Sequence, residues 1–412
     1  MLSVGAVSQS LGAQNQPSPA QPTVPGNQSP GLLPEPRPLT KAIAYAEKRL
    51  GDSEDGEVKN GFYFELSNMV TGAGWISAGP GYRHWLFNDQ ALFDASAAIS
   101  WRLYKMAQVR LEMPKLAEGR VVVGSQLRWQ DLTQVNYFGD RSDSLESDRS
   151  EYRLTSTEVV GYTSVKARSW LSIGGRVGWL GSPTLKRSTG PFRRNIPATR
   201  ELLPNDPVFR LPEQPNFVYG ETSLTADTRD ARGHPSRGGL YRAAWSTFAD
   251  QDRDIFTFQR YEVEGAHFLP ATPHLVLALH GWLVTSDPRE GHTVPFYLQP
   301  SLGGANTLRG YPNYRFHDRN LLMLSAEGRV AVFTHLDAAL FVDAGNVARR
   351  VGDLNLDRTS YGVGLRLHSR GSTFARLDFG RSREGWQILF RTNDPFRASR
   401  LSRETAPVPF AP

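Results

Sequence analysis

The 412-residue chain contains no cysteine. That absence excludes disulfide staples, thiolate nucleophiles and cysteine-based metal sites together. No run of 18 or more apolar residues occurs, which excludes a membrane-spanning helix. Also missing are a Gly-x-Ser-x-Gly elbow, a His-Glu-x-x-His helix and a phosphate-binding glycine loop. His84, His267, His274, His280, His292, His317 and His335 are available to a hydrolytic site, but none is tied by spacing to a serine and an acid. No catalytic or metal-ligating residue is therefore assigned, no cofactor is expected, and the chain reads as a non-enzyme with no evident small-molecule substrate. The formal charge is +6, yet the arginines are spread along the chain rather than gathered into a patch, which argues against nucleic-acid binding.

What the chain does have is a repeated period of two. Sixteen segments read as strands, at about 60–69, 74–85, 91–101, 104–113, 119–130, 150–162, 166–179, 216–228, 238–249, 255–267, 274–285, 320–331, 335–343, 357–368, 372–380 and 385–391. Each is near the length of a tilted strand that crosses a bilayer. Tyr361, Val363, Leu365 and Leu367 share one face, while Gly362, Gly364, Arg366 and His368 share the other. Leu336, Ala338, Leu340 and Val342 likewise oppose Asp337, Ala339, Phe341 and Asp343. Such separation demands one greasy and one wet face. A mean hydropathy of -0.41 does not oppose membrane insertion, because only every second barrel residue meets lipid. Connections after even-numbered strands are short, and several after odd-numbered strands are long, at 131–149, 180–215 and 286–319. The expected fold is all-β, a sixteen-stranded antiparallel transmembrane β-barrel of the outer membrane, with the last strand meeting the first and both termini periplasmic. Trp75, Trp85, Trp101, Tyr104 and Trp129 lie near strand ends, as interfacial girdles do.

Both flanks differ from the barrel. Residues 1–55 form a periplasmic arm rich in Pro, Gln and Ser, with a short helix expected within Thr40–Leu50. The first residues lack the basic start of an export signal. Residues 56–396 make up the barrel, and 397–412 a periplasmic tail.

Four motifs occur in order: Asp227-Thr228-Arg229-Asp230 with Pro235-Ser236-Arg237-Gly238, then Gly303-Gly304 with Leu308-Arg309-Gly310-Tyr311, then Phe341-Val342-Asp343-Ala344-Gly345, then Gly362-Val363-Gly364-Leu365-Arg366. Asn136-Tyr137-Phe138-Gly139 precedes a long loop. Over about residues 60–396 this set resembles the superfamily of BamA, TamA and two-partner-secretion transporters, also called bacterial surface antigen barrels. The resemblance implies an inward-folded loop clamped by Arg309 to Asp343, with Glu327 as second partner, and with Gly303, Gly304, Gly310, Tyr311 and Gly345 shaping the approach. Asp227, Arg229, Asp230, Pro235 and Gly238 make up a separate family motif. Members normally carry POTRA domains before the barrel, and the 55 residues here are too few for one, so the chain resembles a short form. The resemblance implies protein assembly or translocation in the outer membrane, amid its lipids and with separate periplasmic or outer-membrane partner subunits. The alternative is a structural scaffold or pore-like barrel that anchors a complex.

Overall fold

The computed structural model describes residues 31–41, 43, 60–66, 76–192, 195–231, 233–369 and 373–391. The expected tail at 397–412 lies outside the described residues, as do Trp75 and most of the arm and of its expected helix. Within the arm, residues 37–41 are helical.

Strands form where the alternating segments lie. They are β1 (Gly61–Leu66), β2 (Ser77–Leu86), β3 (Ala91–Ser100), β4 (Lys105–Leu116), β5 (Val121–Tyr137), β6 (Ser150–Arg168), β7 (Leu171–Leu180), β8 (Thr184–Arg187), β9 (Phe217–Asp227) and β10 (Gly238–Asp250). They continue as β11 (Phe258–Thr272), β12 (Leu275–Pro288), β13 (Ser301–Leu302), β14 (Phe316–His317), β15 (Asn320–Phe333), β16 (Leu336–Ala348), β17 (Arg358–His368), β18 (Thr373–Ser382) and β19 (Gly385–Arg391). β8, β13 and β14 are short loop additions, and the other sixteen build the wall of a transmembrane β-barrel. Each wall strand pairs antiparallel with the next, from β1 through to β19. Among the described residues no backbone ladder joins β19 to β1, so the expected meeting of last and first strand is not among the described pairings. The described parts of these two edges are Gly61–Leu66 and Gly385–Arg391.

Burial separates the two faces. On β16, Asp337, Ala339, Phe341 and Asp343 are buried, while Leu340 is 67% and Val342 50% exposed. On β17, Ser360 and Arg366 are buried, and Tyr361, Val363 and Leu365 are exposed. A sheet that hides its charges and displays its aliphatics is built for lipid outside and a polar lumen within.

The loop end of the barrel is plugged, which the strand pattern alone does not suggest. Tyr104, Tyr137, Tyr152, Phe217, Phe258 and Phe296–Leu298 pack into one buried cluster drawn from strands and loops. Two single-turn helices, Thr199–Leu202 and Pro207–Arg210, cover it. The second starts with Asp206, whose side chain accepts from the Val208 N–H at 2.9 Å, and with proline at its first position. Tyr104 belongs to this plug and donates its hydroxyl to the Gln134 carbonyl rather than joining an interfacial girdle. Trp101, 70% exposed at the end of β3, does face outward.

Asp318, next to His317 of β14, is 2% exposed, and burial pushes its carboxyl up to about 6 from the ordinary 3.8, with Asp140 adding to the rise. A raised carboxyl favours the folded state while protonated, below 3.8, and that contribution is lost as pH rises through about 6. Asp318→Asn is expected to remove this step and to raise the unfolding free energy at neutral pH by at most about 3 kcal/mol, read from the urea midpoint. A wild-type midpoint that does not fall across that window would contradict the assignment.

Candidate functional site: an inward loop clamped to the wall

Between β12 and β15 the chain runs inward rather than out into solvent. The β13–β14 pair closes the neck of this loop, Ser301 opposite His317 and Leu302 opposite Phe316. Below the neck, Thr307 Oγ1 accepts from the Gly303 N–H at 2.9 Å, and the Gly304 N–H donates to the Tyr311 carbonyl at 3.1 Å. Gly303 has φ +111, and a Cβ there would lie 2.2 Å from the Pro312 carbonyl oxygen. Gly304 follows with φ +100, so the turn depends on two left-handed residues. At Gly310 the requirement is proximity, since a Cβ would stand 2.6 Å from the Arg381 backbone and 2.7 Å from Ser360 Cβ. Leu308 and Tyr311, flanking the tip, pack with Trp282, Phe316 and Met323, and the Tyr311 ring meets Phe316 edge-on at 5.1 Å.

The apolar flanks fix Arg309 over the inner wall, where it is 1% exposed. Its backbone N–H donates to Asp343 Oδ2 at 3.0 Å. Its guanidinium grips the same carboxylate through Nε at 3.0 Å and Nη2 at 2.7 Å. Nη1 donates to Glu327 Oε2, and Nη2 also reaches Ser325 Oγ at 3.2 Å. Phe341 lies flat beneath, its ring centroid 3.6 Å from Cζ. A forked cation with an aromatic floor and two carboxylates uses all three guanidinium nitrogens of Arg309, which lysine does not reproduce. Asp343 also accepts from Ser325 Oγ at 2.6 Å and Ser360 Oγ at 3.2 Å.

Glu327 is a hub. Besides Arg309 it accepts from Arg329 Nε at 2.9 Å and from Arg366 Nη2 at 2.8 Å. Arg366 Nη1 stands 2.6 Å from Asp378 Oδ1, and Arg376 Nε 3.5 Å from Asp378 Oδ2. Arg376 then returns to the loop, donating to the Ala305 carbonyl and to Asn306 Oδ1, both at 3.0 Å. The site thus unites Arg309, Glu327, Asp343, Gly303, Gly304, Gly310 and Tyr311. Gly345 sits two residues beyond Asp343, where the Leu302 side chain passes. Arg329, Arg376 and Asp378 are members that sequence reasoning did not single out, and Arg366 was named only as the end of a motif, because a charged residue on a wet face carries no mark of its partner. A second brace was equally unmarked: Arg315 donates to Glu384 and to Ser144 Oγ, both at 2.8 Å, tying the loop to the β18–β19 turn and to the β5–β6 connection.

The motif around Asp227 belongs to the opposite, turn end. Asp227 accepts from Arg229 Nε and Nη2, both at 2.9 Å. Asp230 accepts from the Ser236 and Arg237 N–H groups at 2.9 and 3.1 Å, with Pro235 just before them. Gly238 begins β10 with φ +85. These residues make a self-braced β9–β10 turn separate from the Arg309 clamp. The N-terminal arm also docks at this end. The Leu32 and Leu33 N–H groups donate to the Ala331 and Val332 carbonyls at 2.9 Å, and Glu35 meets His335 Nδ1 at 2.8 Å.

Beside the first wall strand, Tyr63 Oη donates to Asp94 at 3.1 Å, and Arg83 Nε reaches Asp94 at 2.6 Å while its guanidinium stacks 3.9 Å over the Tyr63 ring. This network holds β1 to β2 and β3 from the lumen side.

The fold is similar to that of BamA from Haemophilus ducreyi lacking POTRA domains 1–3, with TM-score 0.59, 16% identity, and 85% of this chain and 77% of that chain covered. It is also similar to CdiB from Escherichia coli, with TM-score 0.53, 11% identity, and 81% and 62% covered. No curated protein sequence matches the chain. A family model does match: residues 198–382, the stretch that holds the inward loop and the carboxylate partners of Arg309, are similar to the Omp85 superfamily domain.

Proposed function

We propose that this protein is an outer-membrane barrel of protein assembly or translocation, working with separate partner subunits in outer-membrane protein biogenesis or secretion and having no catalytic chemistry of its own. The reading takes residues 56–396 as the working barrel, with the arm at 1–55 and the tail at 397–412 both on the periplasmic side. The observation that carries it is the clamp. A loop folded into the lumen and held there by Arg309 to Asp343 and Glu327 narrows the path for simple diffusion, which favours this reading over an open pore. The same loop braces β15 to β18, next to the edge strand β19, and thereby stiffens the wall beside that edge. Edges with unpaired N–H and C=O groups are templates for an incoming strand. The names BamA and CdiB among the similar folds support the same reading.

Depletion in the native host, followed by proteomics of the outer membrane, tests this. A fall in other barrels or in a secreted substrate is expected, with periplasmic assembly or secretion factors recovered by crosslinking to this chain. A normal outer-membrane and secreted proteome after deletion would leave the scaffold reading instead.

A further inference from the structure

Three side chains from separate parts of the chain converge at the turn end of the lumen: His234 on the β9–β10 turn, Asp337 at the start of β16 and His368 at the end of β17. His234 Nε2 lies 3.0 Å from Asp337 Oδ2, and His368 Nε2 lies 3.1 Å from Asp337 Oδ1. The two imidazoles stack with centroids 3.5 Å apart and planes within 10°. All three side chains are largely withdrawn from solvent, at 12%, 7% and 9% exposure for His234, Asp337 and His368. Both histidines therefore aim the same ring nitrogen at the same carboxylate.

We propose that His234, Asp337 and His368 bind a divalent transition-metal ion, with zinc as its representative, and that the bound ion staples the β9–β10 turn to the barrel wall. Two imidazoles and one carboxylate are a borderline nitrogen and oxygen donor set that suits zinc, cobalt or nickel and has no preference for calcium or magnesium. Ligand atoms about 2.0–2.1 Å from a tetrahedral zinc are about 3.3 Å from one another, close to the spacing between each Nε2 and its carboxylate oxygen here. Binding needs each neutral imidazole to carry its proton on Nδ1, which frees both Nε2 lone pairs, and a turn of the stacked rings to bring the ion into both ring planes; the fourth position is left to lumen water. Second-shell support is in place at His234, whose Nδ1 lies 3.4 Å from Thr373 Oγ1, while that hydroxyl donates to the Gly233 carbonyl at 3.1 Å and so fixes the turn. The nearby cation Arg329 is turned to Glu327, at 2.9 Å. His335, next to the cluster, has its ring engaged by Glu35. The rigid turn built by Asp227, Asp230 and Gly238 acquires a purpose in this arrangement: it presents His234 to the other two ligands.

The test uses the full chain without a histidine tag, folded in detergent, stripped with chelator and titrated with Zn2+ by calorimetry, with Co2+ absorption as an optical probe of nitrogen and oxygen ligation. One ion per chain is expected. His368→Ala and His234→Gln should each weaken binding roughly 100-fold, and Thr373→Val roughly 10-fold. Heat-modifiable gel mobility establishes that each variant is folded before its affinity is read. Folded wild-type protein that takes up no Zn2+ overturns the proposal whatever the variants do. So does unchanged uptake by the folded His234→Gln/His368→Ala double variant, which would place the ion on other histidines.

Discussion

Arg309→Ala is expected to lower the unfolding free energy by about 2–4 kcal/mol, the effect of removing one partner from a buried ion pair after some relief from lumen water. The two acids it leaves are not equivalent. Glu327 keeps Arg329 and Arg366, whereas Asp343 keeps only the hydroxyls of Ser325 and Ser360 among its described side-chain partners. The damage should therefore sit on Asp343, and Arg309→Ala/Asp343→Asn should recover part of it, because an amide tolerates burial without a counter-charge better than a carboxylate does. Urea titration read by heat-modifiable mobility measures both. A midpoint that does not move in Arg309→Ala would show that the clamp contributes nothing to the wall, and equal loss in the single and double variants would move the damage away from Asp343.

A larger loss is expected from Glu327→Gln. Three guanidiniums converge on this one carboxylate, and the substitution removes the negative charge while keeping the shape, leaving Arg309, Arg329 and Arg366 to repel one another with less compensation. Roughly 3–5 kcal/mol is the expected scale, and protease cleavage within 303–315 should appear in folded protein as the loop loosens. Added salt should restore more stability to Glu327→Gln than to Arg309→Ala, since the first defect is repulsion and the second an orphan acid. If Glu327→Gln is the milder of the two, the hub is Asp343 instead.

Much of the wall was legible before the structure. The alternation of Leu340 and Val342 against Asp337 and Asp343 named lipid and lumen faces correctly, because a period of two is imposed residue by residue. The Arg309 pairing came from a resemblance, not from periodicity, since nothing in a loop's own pattern says which wall residue it will meet. The plug was invisible for a related reason. Phe296 and Tyr297 lie in a loop that reads as a long connection, Phe256 at the start of an expected strand that begins only at Phe258, and their packing joins segments with no common period. The His234, Asp337 and His368 cluster escaped likewise, its members being the two histidines left out of the search for a hydrolytic site and an acid read only as part of a wet face.

The reach of the clamp along the chain sets an order of assembly. Arg309 is 18 residues from Glu327 and 34 from Asp343, and the loop's contacts with Arg376 and Ser382 extend only to about 70 residues. Short loops close at low entropic cost. The inward loop and strands β15 to β18 can therefore condense as a C-terminal nucleus before β1 to β7 arrive, so the lumen is filled before the wall around it is complete.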